Sequence, residues 1–412
     1  MKPTFVALAI AFQLILLSAP GQCEDWLSWR GPRQDGTATA KNLPSSWSDQ
    51  HGIVWKRPLP GTGYSSPIII GNQAVLTSSQ GIDFTDLSVI SLDAETGALQ
   101  WNLPLQGTKL PFLSQFAKEL GTAVASCVSD GKCIVAAFST GEVACMTLQG
   151  EPLWFRSLGV DYAAFTNDYG AASSPVIVED KVIMAVDQDG SSYVVALDLG
   201  SGKSIWMKQR PKCGDNWATP LIYREPQGNR NCAILSGTFD LESIDVATGE
   251  ALWVFTGAAR LCAPTPFQYK DKLISTSGPG GQTLSLSLNT LQSTDRLAWK
   301  SAKGTGFLPS AIRVNDKYLH SGDRGVVTCL SLENGEEIFQ KRIGGSYRAS
   351  PVLADGKIYF TSLEGTVTVM DAESFEVLGV SEMGEKIGAS PAVANDSLYF
   401  RGEKHLFRIG SK

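Results

Sequence analysis

The stretch Ala196-Leu197-Asp198-Leu199-Gly200-Ser201-Gly202-Lys203-Ser204-Ile205-Trp206 decides the architecture. It reads as a strand end, a tight turn and the start of a second strand closed by a tryptophan. Copies recur along the chain: SLDAETGALQW from Ser91 to Trp101, SIDVATGEALW from Ser243 to Trp253, and a looser copy from Ser331 to Phe339. A glycine stands four residues before the aromatic in Gly97/Trp101, Gly150/Trp154, Gly202/Trp206, Gly249/Trp253 and Gly335/Phe339. A unit of this size at fixed spacing points to a propeller, a solenoid or an array.

Outward from this turn, each unit begins with an opening of small polar residues, most of them ending in proline. The openings are Ser65-Ser66-Pro67, Ser173-Ser174-Pro175, Ala218-Thr219-Pro220, Pro264-Thr265-Pro266, Ala349-Ser350-Pro351 and Ala389-Ser390-Pro391, with Ala125-Ser126-Cys127 and Pro309-Ser310-Ala311 as degenerate copies. Four hairpin-linked strands, repeated about every 45 residues, form the pattern of a propeller blade. A lone strand around Trp55 precedes the first opening, and only three strands follow the last one. Pairing the two in one blade closes the ring and removes two exposed edges. The expectation is all-β: an eight-bladed β-propeller of four-stranded antiparallel blades over residues 53–412. The outer-strand aromatics Trp55, Trp101, Trp154, Trp206, Trp253, Trp299 and Phe339 are read as docking plugs. Each would lie on a neighbouring blade's glycine turn, where the missing side chain lets a ring approach the backbone.

Composition agrees with short strands: 41 glycines, 43% hydrophobic and 18% charged residues in 412. A formal charge of −6 without a basic stripe argues against nucleic acid as a partner. Residues 1–23 read as a signal peptide, with Lys2, an apolar run from Phe5 to Leu17 and a small-residue exit at Ser18–Cys23. Cleavage after Gly21 or Cys23 suits the pattern, and the exported chain is expected in the periplasm or outside the cell. No later stretch is long and apolar enough to cross a membrane as a helix. Residues 24–52, with Trp26, Trp29 and Trp47, read as an arm packed on the propeller. Of the eight cysteines, most are expected as free buried thiols. Cys127 and Cys133 point to opposite faces by strand parity. Cys213 with Cys232 or Cys262 is the disulfide pairing to test.

The repeated turn resembles the tryptophan-docking repeat of the pyrroloquinoline quinone (PQQ)-type eight-bladed propellers, over residues 53–409. The lead-in WLSWRGPRQDG, Trp26–Gly36, is similar to the start of exported PQQ-like repeat proteins of planctomycete-type bacteria. The resemblance implies one of two functions, because the fold is shared by quinoprotein dehydrogenases and by a non-catalytic lipoprotein of outer-membrane protein assembly. The first is an exported, non-catalytic binding or scaffold propeller, monomeric, holding an envelope or extracellular protein, peptide or glycan at its channel face. The alternative is a PQQ-dependent dehydrogenase using PQQ with calcium to oxidise an alcohol or sugar. The chain departs from quinoprotein alcohol dehydrogenases in having no adjacent cysteine pair and no matching calcium-binding acids, so the scaffold reading is preferred and no catalytic residue is assigned.

Loops from fourth to first strands and from second to third strands share the channel face. Two are long: 102–124, with room for one short helix, and 157–172, carrying Tyr162, Phe165, Asn167, Asp168 and Tyr169. Asn216 and Trp217 precede the fourth opening, where a flat aromatic beside polar groups suits a planar ligand or sugar. Arg260, Arg324, Tyr347 and Arg348 occupy equivalent loop positions, and the arginines suit an anion or a partner's carboxylates. Each of these also has a structural reading, as loop packing or solvated rim charge. Asp187-Gln188-Asp189-Gly190 lacks the further acids of a calcium loop, and Gly200–Ser204 lacks the strand-to-helix context of a phosphate loop. His51, His320 and His405 fall in different units, so neither a zinc centre nor a serine triad is signalled, and no metal is expected.

Overall fold

The computed structural model describes residues 24–166, 170–225, 228–289 and 295–411. Residues 1–23, read as a signal peptide, and Asn167, Asp168 and Tyr169 lie outside the described residues. Eight four-stranded antiparallel sheets form the eight blades, at 68–106, 128–157, 176–209, 221–256, 267–301, 312–342, 352–382 and 392–410. The strand Ile53–Pro58 completes the eighth blade by pairing with His405–Gly410, Trp55 opposite Arg408. The ring is thus closed by the two ends of the propeller, as the orphan strand implied.

Burial follows position in the blade. Inner strands are short, as in Ile68–Ile70 and Val176–Val178. Middle strands such as Cys133–Ala137 and Tyr193–Asp198 are almost wholly buried, because both faces meet a neighbouring blade. The core therefore lies between blades. Val135, Cys145 and Trp154 of blade 2 pack with Val182, Val195 and Leu197 of blade 3. Outer strands alternate, with Trp206 turned inward between exposed Ile205 and Met207. The short helix Gln115–Leu120 forms in the first long loop. Ser114 caps it by accepting from Ala117 N–H at 3.1 Å, and Gly121 ends it at φ +69°.

The outer girdle joins each blade to the next. A Cβ on Gly150 would stand 2.6 Å from the Trp101 ring, and one on Gly202 equally close to Trp154. Gly97, Gly249 and Gly335 meet Trp55, Trp206 and Trp299 in the same way. Each of these five indoles also donates Nε1–H to a backbone carbonyl of the same turn, for example Trp154 to Leu199 at 2.8 Å. Trp253 lies instead against the Arg296 guanidinium, 4.3 Å from its ring centre. Phe339 meets Phe375, which takes the glycine position of blade 7 at φ +58°.

Blade 7 breaks the girdle. Gly379, opposite Val369, occupies the docking-aromatic position. The arm repairs the gap. The Ser45 backbone and the Ser46 Cβ lie against Gly379, where any side chain would clash. Trp47 then enters between blades 7 and 8, donating its backbone N–H to Ser381 Oγ at 2.8 Å and packing on Met383 and Phe400. Blade 7 thus borrows its tryptophan from outside the repeat.

All seven described cysteines are free thiols, which corrects the proposed Cys213 pairings. Cys232 is buried in the core between blades 4 and 5, away from Cys213. Cys262 meets the Gly237 carbonyl at 3.8 Å as a thiol. Cys127 and Cys133 fall in different inter-blade cores, as strand parity requires.

Candidate functional site: a blind central channel

The repeat openings build the channel as two stacked rings. The second residue of each opening gives the lower ring: Ser66, Ser126, Ser174, Thr219, Thr265, Ser310, Ser350 and Ser390, all buried. These hydroxyls knit blade to blade. The backbone N–H of Ser66 donates to Ser126 Oγ, that of Ser126 to Ser174 Oγ, and that of Ser174 to Thr219 Oγ1, each at 3.0 Å. A second run begins at Thr265, whose N–H donates to Ser310 Oγ, and passes through Ser350 to Ser390. A small residue is needed so near the axis, and a hydroxyl is needed to satisfy a buried N–H. Ser66 Oγ itself is buried without a hydrogen-bond partner.

The residue before each opening gives the upper ring: Tyr64, Val124, Ala172, Trp217, Ala263, Leu308, Arg348 and Gly388. All eight are half-buried, and all line a cavity of about 450 Å³. Unlike the ring below, this one does not repeat. Tyr64 lies over neighbouring Gly388, which has no side chain to obstruct it. Trp217 donates Nε1–H to the Gly170 carbonyl at 2.9 Å and meets Phe307 edge-on, ring centres 5.7 Å apart.

The arm closes the lower end. Trp26 pairs with Ile69 of blade 1, and Leu27 accepts from Ser129 of blade 2. Gln34 bonds Pro220 and Ile222 of blade 4, and Ala38 bonds Leu353 of blade 7. Trp29 therefore lies across the axis as the floor, its indole N–H donated to Thr265 Oγ1 at 2.9 Å. The mouth is formed by Phe116 and Leu120 of the short helix, by Leu261 and by Phe307. Asp323 holds Phe307 in place by accepting from the backbone N–H of Phe307 and Leu308 at 3.0 and 3.1 Å.

Among the described residues Arg348 is the one charged side chain of the lining, its guanidinium 4.7 Å from the Phe116 ring centre and 4.0 Å from the Glu119 carboxylate. Arg401 is buried behind Tyr64, bonded to the Ser65 carbonyl and hydroxyl, with Nε lacking a hydrogen bond. Burial pulls Arg401 down to about 9, against smaller opposing effects of Cys127 and Tyr64. Arg30 sits beside the floor, bonded to the Ala311 and Pro351 carbonyls at 2.6 and 3.2 Å. Burial likewise pulls it to about 10, with Asp35 opposing. Burial raises the Tyr64 hydroxyl above its usual value, and Arg348 opposes it.

Of the residues singled out in the sequence, Trp217 and Arg348 meet in this cavity. Asn216 is buried beneath it, its amide bonded to the Gly214 carbonyl and the Cys262 N–H. Tyr347 belongs to the core between blades 6 and 7, where burial pushes its hydroxyl up to about 12. Arg260 and Arg324 are exposed on the rim. Tyr162 packs on Tyr193 and bonds Ser204, and Phe165 is buried over Gly141, so neither reaches the channel lining. The sequence reading missed Trp29, Tyr64, Phe116 and Phe307. Tyr64 had a legible signal, since it stands immediately before an opening, as Trp217 does.

The fold and its repeated docking turn define an eight-bladed β-propeller. A family model described as "Outer membrane protein assembly factor BamB" matches residues 38–219 and 238–405, and the chain belongs to that family. It is 25% identical over 207 residues to the outer membrane protein assembly factor BamB of Burkholderia pseudomallei, covering 48% of this chain and 46% of that one. The chain thus spans less than half the length of the curated relative it matches. The crystal structure of BamB from Moraxella catarrhalis superposes with a TM-score of 0.65 at 16% identity, covering 87% of this chain and 97% of that one. A europium-containing methanol dehydrogenase gives 0.70 at 12% identity, covering 93% and 90%. The quinohemoprotein alcohol dehydrogenase of Comamonas testosteroni gives 0.72 at 9%, covering 94% and 81%. At these identities the likeness to solved structures is one of fold.

The quinoprotein neighbours imply PQQ with a metal ion, and the lining tests that implication. PQQ is a planar quinone bearing three carboxylates, so it calls for several cations and, with calcium, for oxygen ligands from acids. Among the described residues the lining offers one guanidinium and no Asp or Glu. Among the described residues no group of three or more His, Cys, Asp or Glu is placed to hold a metal. The channel does not fit this cofactor.

Proposed function

We propose that the chain is an exported, non-catalytic scaffold of the cell envelope that holds a protein partner on its channel face. One observation carries the reading: among the described residues the channel lining contains aromatic, aliphatic and hydroxyl side chains and one arginine, without a carboxylate, imidazole or thiol. A hydroxyl nucleophile needs an adjacent base to activate it, and these are the groups that most often serve as one, whereas a binding surface does without them. Family membership supports a role in outer-membrane protein assembly, and therefore a periplasmic, outer-membrane-associated location with an assembly protein as partner. The amino-terminal signal reading supports export, and no helix among the described residues is long and apolar enough to cross a membrane. A glycan is the other occupant that the aromatic face suits. The planctomycete-type origin rests on the lead-in alone.

Affinity purification of the tagged, mature chain from a native envelope extract tests the proposal. Recovery of one defined envelope protein, weakened by the paired rim substitutions Arg260→Glu and Arg324→Glu, is the expected result. Stoichiometric uptake of PQQ and calcium with dye reduction by alcohols or sugars would overturn it.

A further inference from the structure

Loop crowns receive proteins, but a closed shaft at the axis serves a different purpose. We propose that the blind channel is a binding site for a small aromatic monoanion, a ligand separate from any protein partner on the rim.

Shape gives the first argument. The arm seals one end with Trp29, so the cavity is a dead-end pocket of about 450 Å³ rather than a pore. That volume is in the range of small-molecule sites. The upper ring leaves a slot. In an eight-bladed ring each blade faces the fourth one on, so Arg348 faces Ala172, Tyr64 faces Ala263, and large side chains meet small ones across the axis. Tyr64, Trp217, Phe307 and Phe116 supply aromatic faces and edges for a flat body.

Charge gives the second argument. Arg348 is the only ionised group in the lining among the described residues. Behind Tyr64, Arg401 is 2% exposed, with its hydrogen bonds to Ser65 alone and its Nε unpartnered. Two guanidiniums around a low-dielectric shaft whose described lining holds no carboxylate focus positive potential into it. Glu119 faces Arg348 from the exposed side of the mouth, and Glu403 lies within electrostatic range of Tyr64. Both are outside the lining, so a ligand anion would exchange with Glu119 at Arg348. One lining cation matches one carboxylate or sulfonate. The buried, unpartnered Ser66 hydroxyl adds a free donor on the same wall.

The test uses two fluorescent probes of one shape: 1-anilinonaphthalene-8-sulfonate, an anion, and N-phenyl-1-naphthylamine, its neutral counterpart. Saturable one-to-one binding of the anion, at least tenfold tighter than the neutral probe, is expected. Arg348→Gln should weaken the anion about tenfold and leave the neutral probe within twofold. Ala172→Trp, which fills the slot, should abolish both. 1-Naphthylacetate should displace the anionic probe, and 1-naphthylacetamide should not. Equal affinity for the two probes, or anion binding indifferent to Arg348→Gln, would overturn the proposal. Arg348 is on the mouth and bears no core packing, so that variant decides the matter even where Ala172→Trp fails to fold. Loss of the envelope partner with intact probe binding, or the converse, separates this site from the scaffold reading.

Discussion

The outer girdle and the channel lining are built from the same eight repeats under opposite constraints. At the girdle, one solution recurs: an indole over a bare turn, with Nε1–H on the turn's carbonyl, as in Trp101 on Gly150 and Trp206 on Gly249. At the axis, the lower ring keeps Ser or Thr in all eight blades, while the residue directly above changes in nearly every one. Repetition marks where blades hold one another. Variation marks where the molecule meets something else.

The sharpest challenge to this comparison is blade 7, where the girdle's tryptophan comes from the arm. If Trp47 is a true member of the girdle, Trp47→Ala should cost about 3–5 kcal/mol, as for a buried tryptophan removed from a core. A shift in the urea midpoint measures it. A loss below about 1 kcal/mol would make the arm an ornament, leaving blade 7 stable without a docking aromatic.

Within the girdle proper, Gly150→Ala should destabilise by about 2–4 kcal/mol. The residue has φ +82°, and a Cβ would enter the Trp101 ring. Gly131, also at positive φ but with open space around it, is the control. Gly131→Ala should cost only the backbone strain, about 1 kcal/mol. Equal losses at the two would show that the indole seat contributes nothing.

On the channel side the corresponding weak point is His320, buried in blade 6 with Nε2 on the Pro309 carbonyl at 2.9 Å and Nδ1 bare. Burial pulls its pKa to about 4, against smaller raising effects of that carbonyl and Asp323. The neutral form is thus favoured when folded, and the unfolded chain binds the extra proton between roughly pH 6.5 and 4. Stability is fully present above pH 6.5 and falls with acidification through that window, by roughly 2–3 kcal/mol at pH 4.5. Comparing the wild-type chain with His320→Gln by urea unfolding at pH 7 and 4.5 isolates this term. Pro309 carries the loop with Phe307 and Leu308, so acid should loosen the channel mouth before the girdle.

The two regions also differ in how far they could be read from sequence. The girdle was legible because glycine and tryptophan at fixed spacing encode a contact between neighbours in the ring. The closure through Trp55 was legible from a strand count. The site was not, because its floor comes from a segment outside the repeat. Nothing local to Trp29 says that it crosses the axis, and its position follows from backbone bonds to blades 1, 2 and 7 and the Gln34 side-chain bonds to blade 4 made by the residues around it. Asn216 and Tyr347 occupy repeat positions next to Trp217 and Arg348, yet successive residues of an extended chain point opposite ways, so one of each pair faces the core. Reading the eight openings as a column would have placed Tyr64 and Leu308 beside Trp217 and Arg348.

The smallest expected effect bears on the lower ring itself. Ser350 accepts the Ser310 N–H at 2.9 Å, so Ser350→Ala leaves a buried donor without a partner and should cost about 1–2 kcal/mol. Ser66 occupies the same place in blade 1, but its hydroxyl accepts nothing, so Ser66→Ala should change stability by less than about 0.5 kcal/mol. One gap in the ring falls between blades 8 and 1, beside the strand exchange that closes the propeller and beside Arg401, and the other between blades 4 and 5, where Thr265 Oγ1 accepts the Trp29 indole N–H. A loss at Ser66 as large as that at Ser350 would mean that the hydroxyl ring runs unbroken through the closure, and that Ser66 has no donor to spare for a ligand.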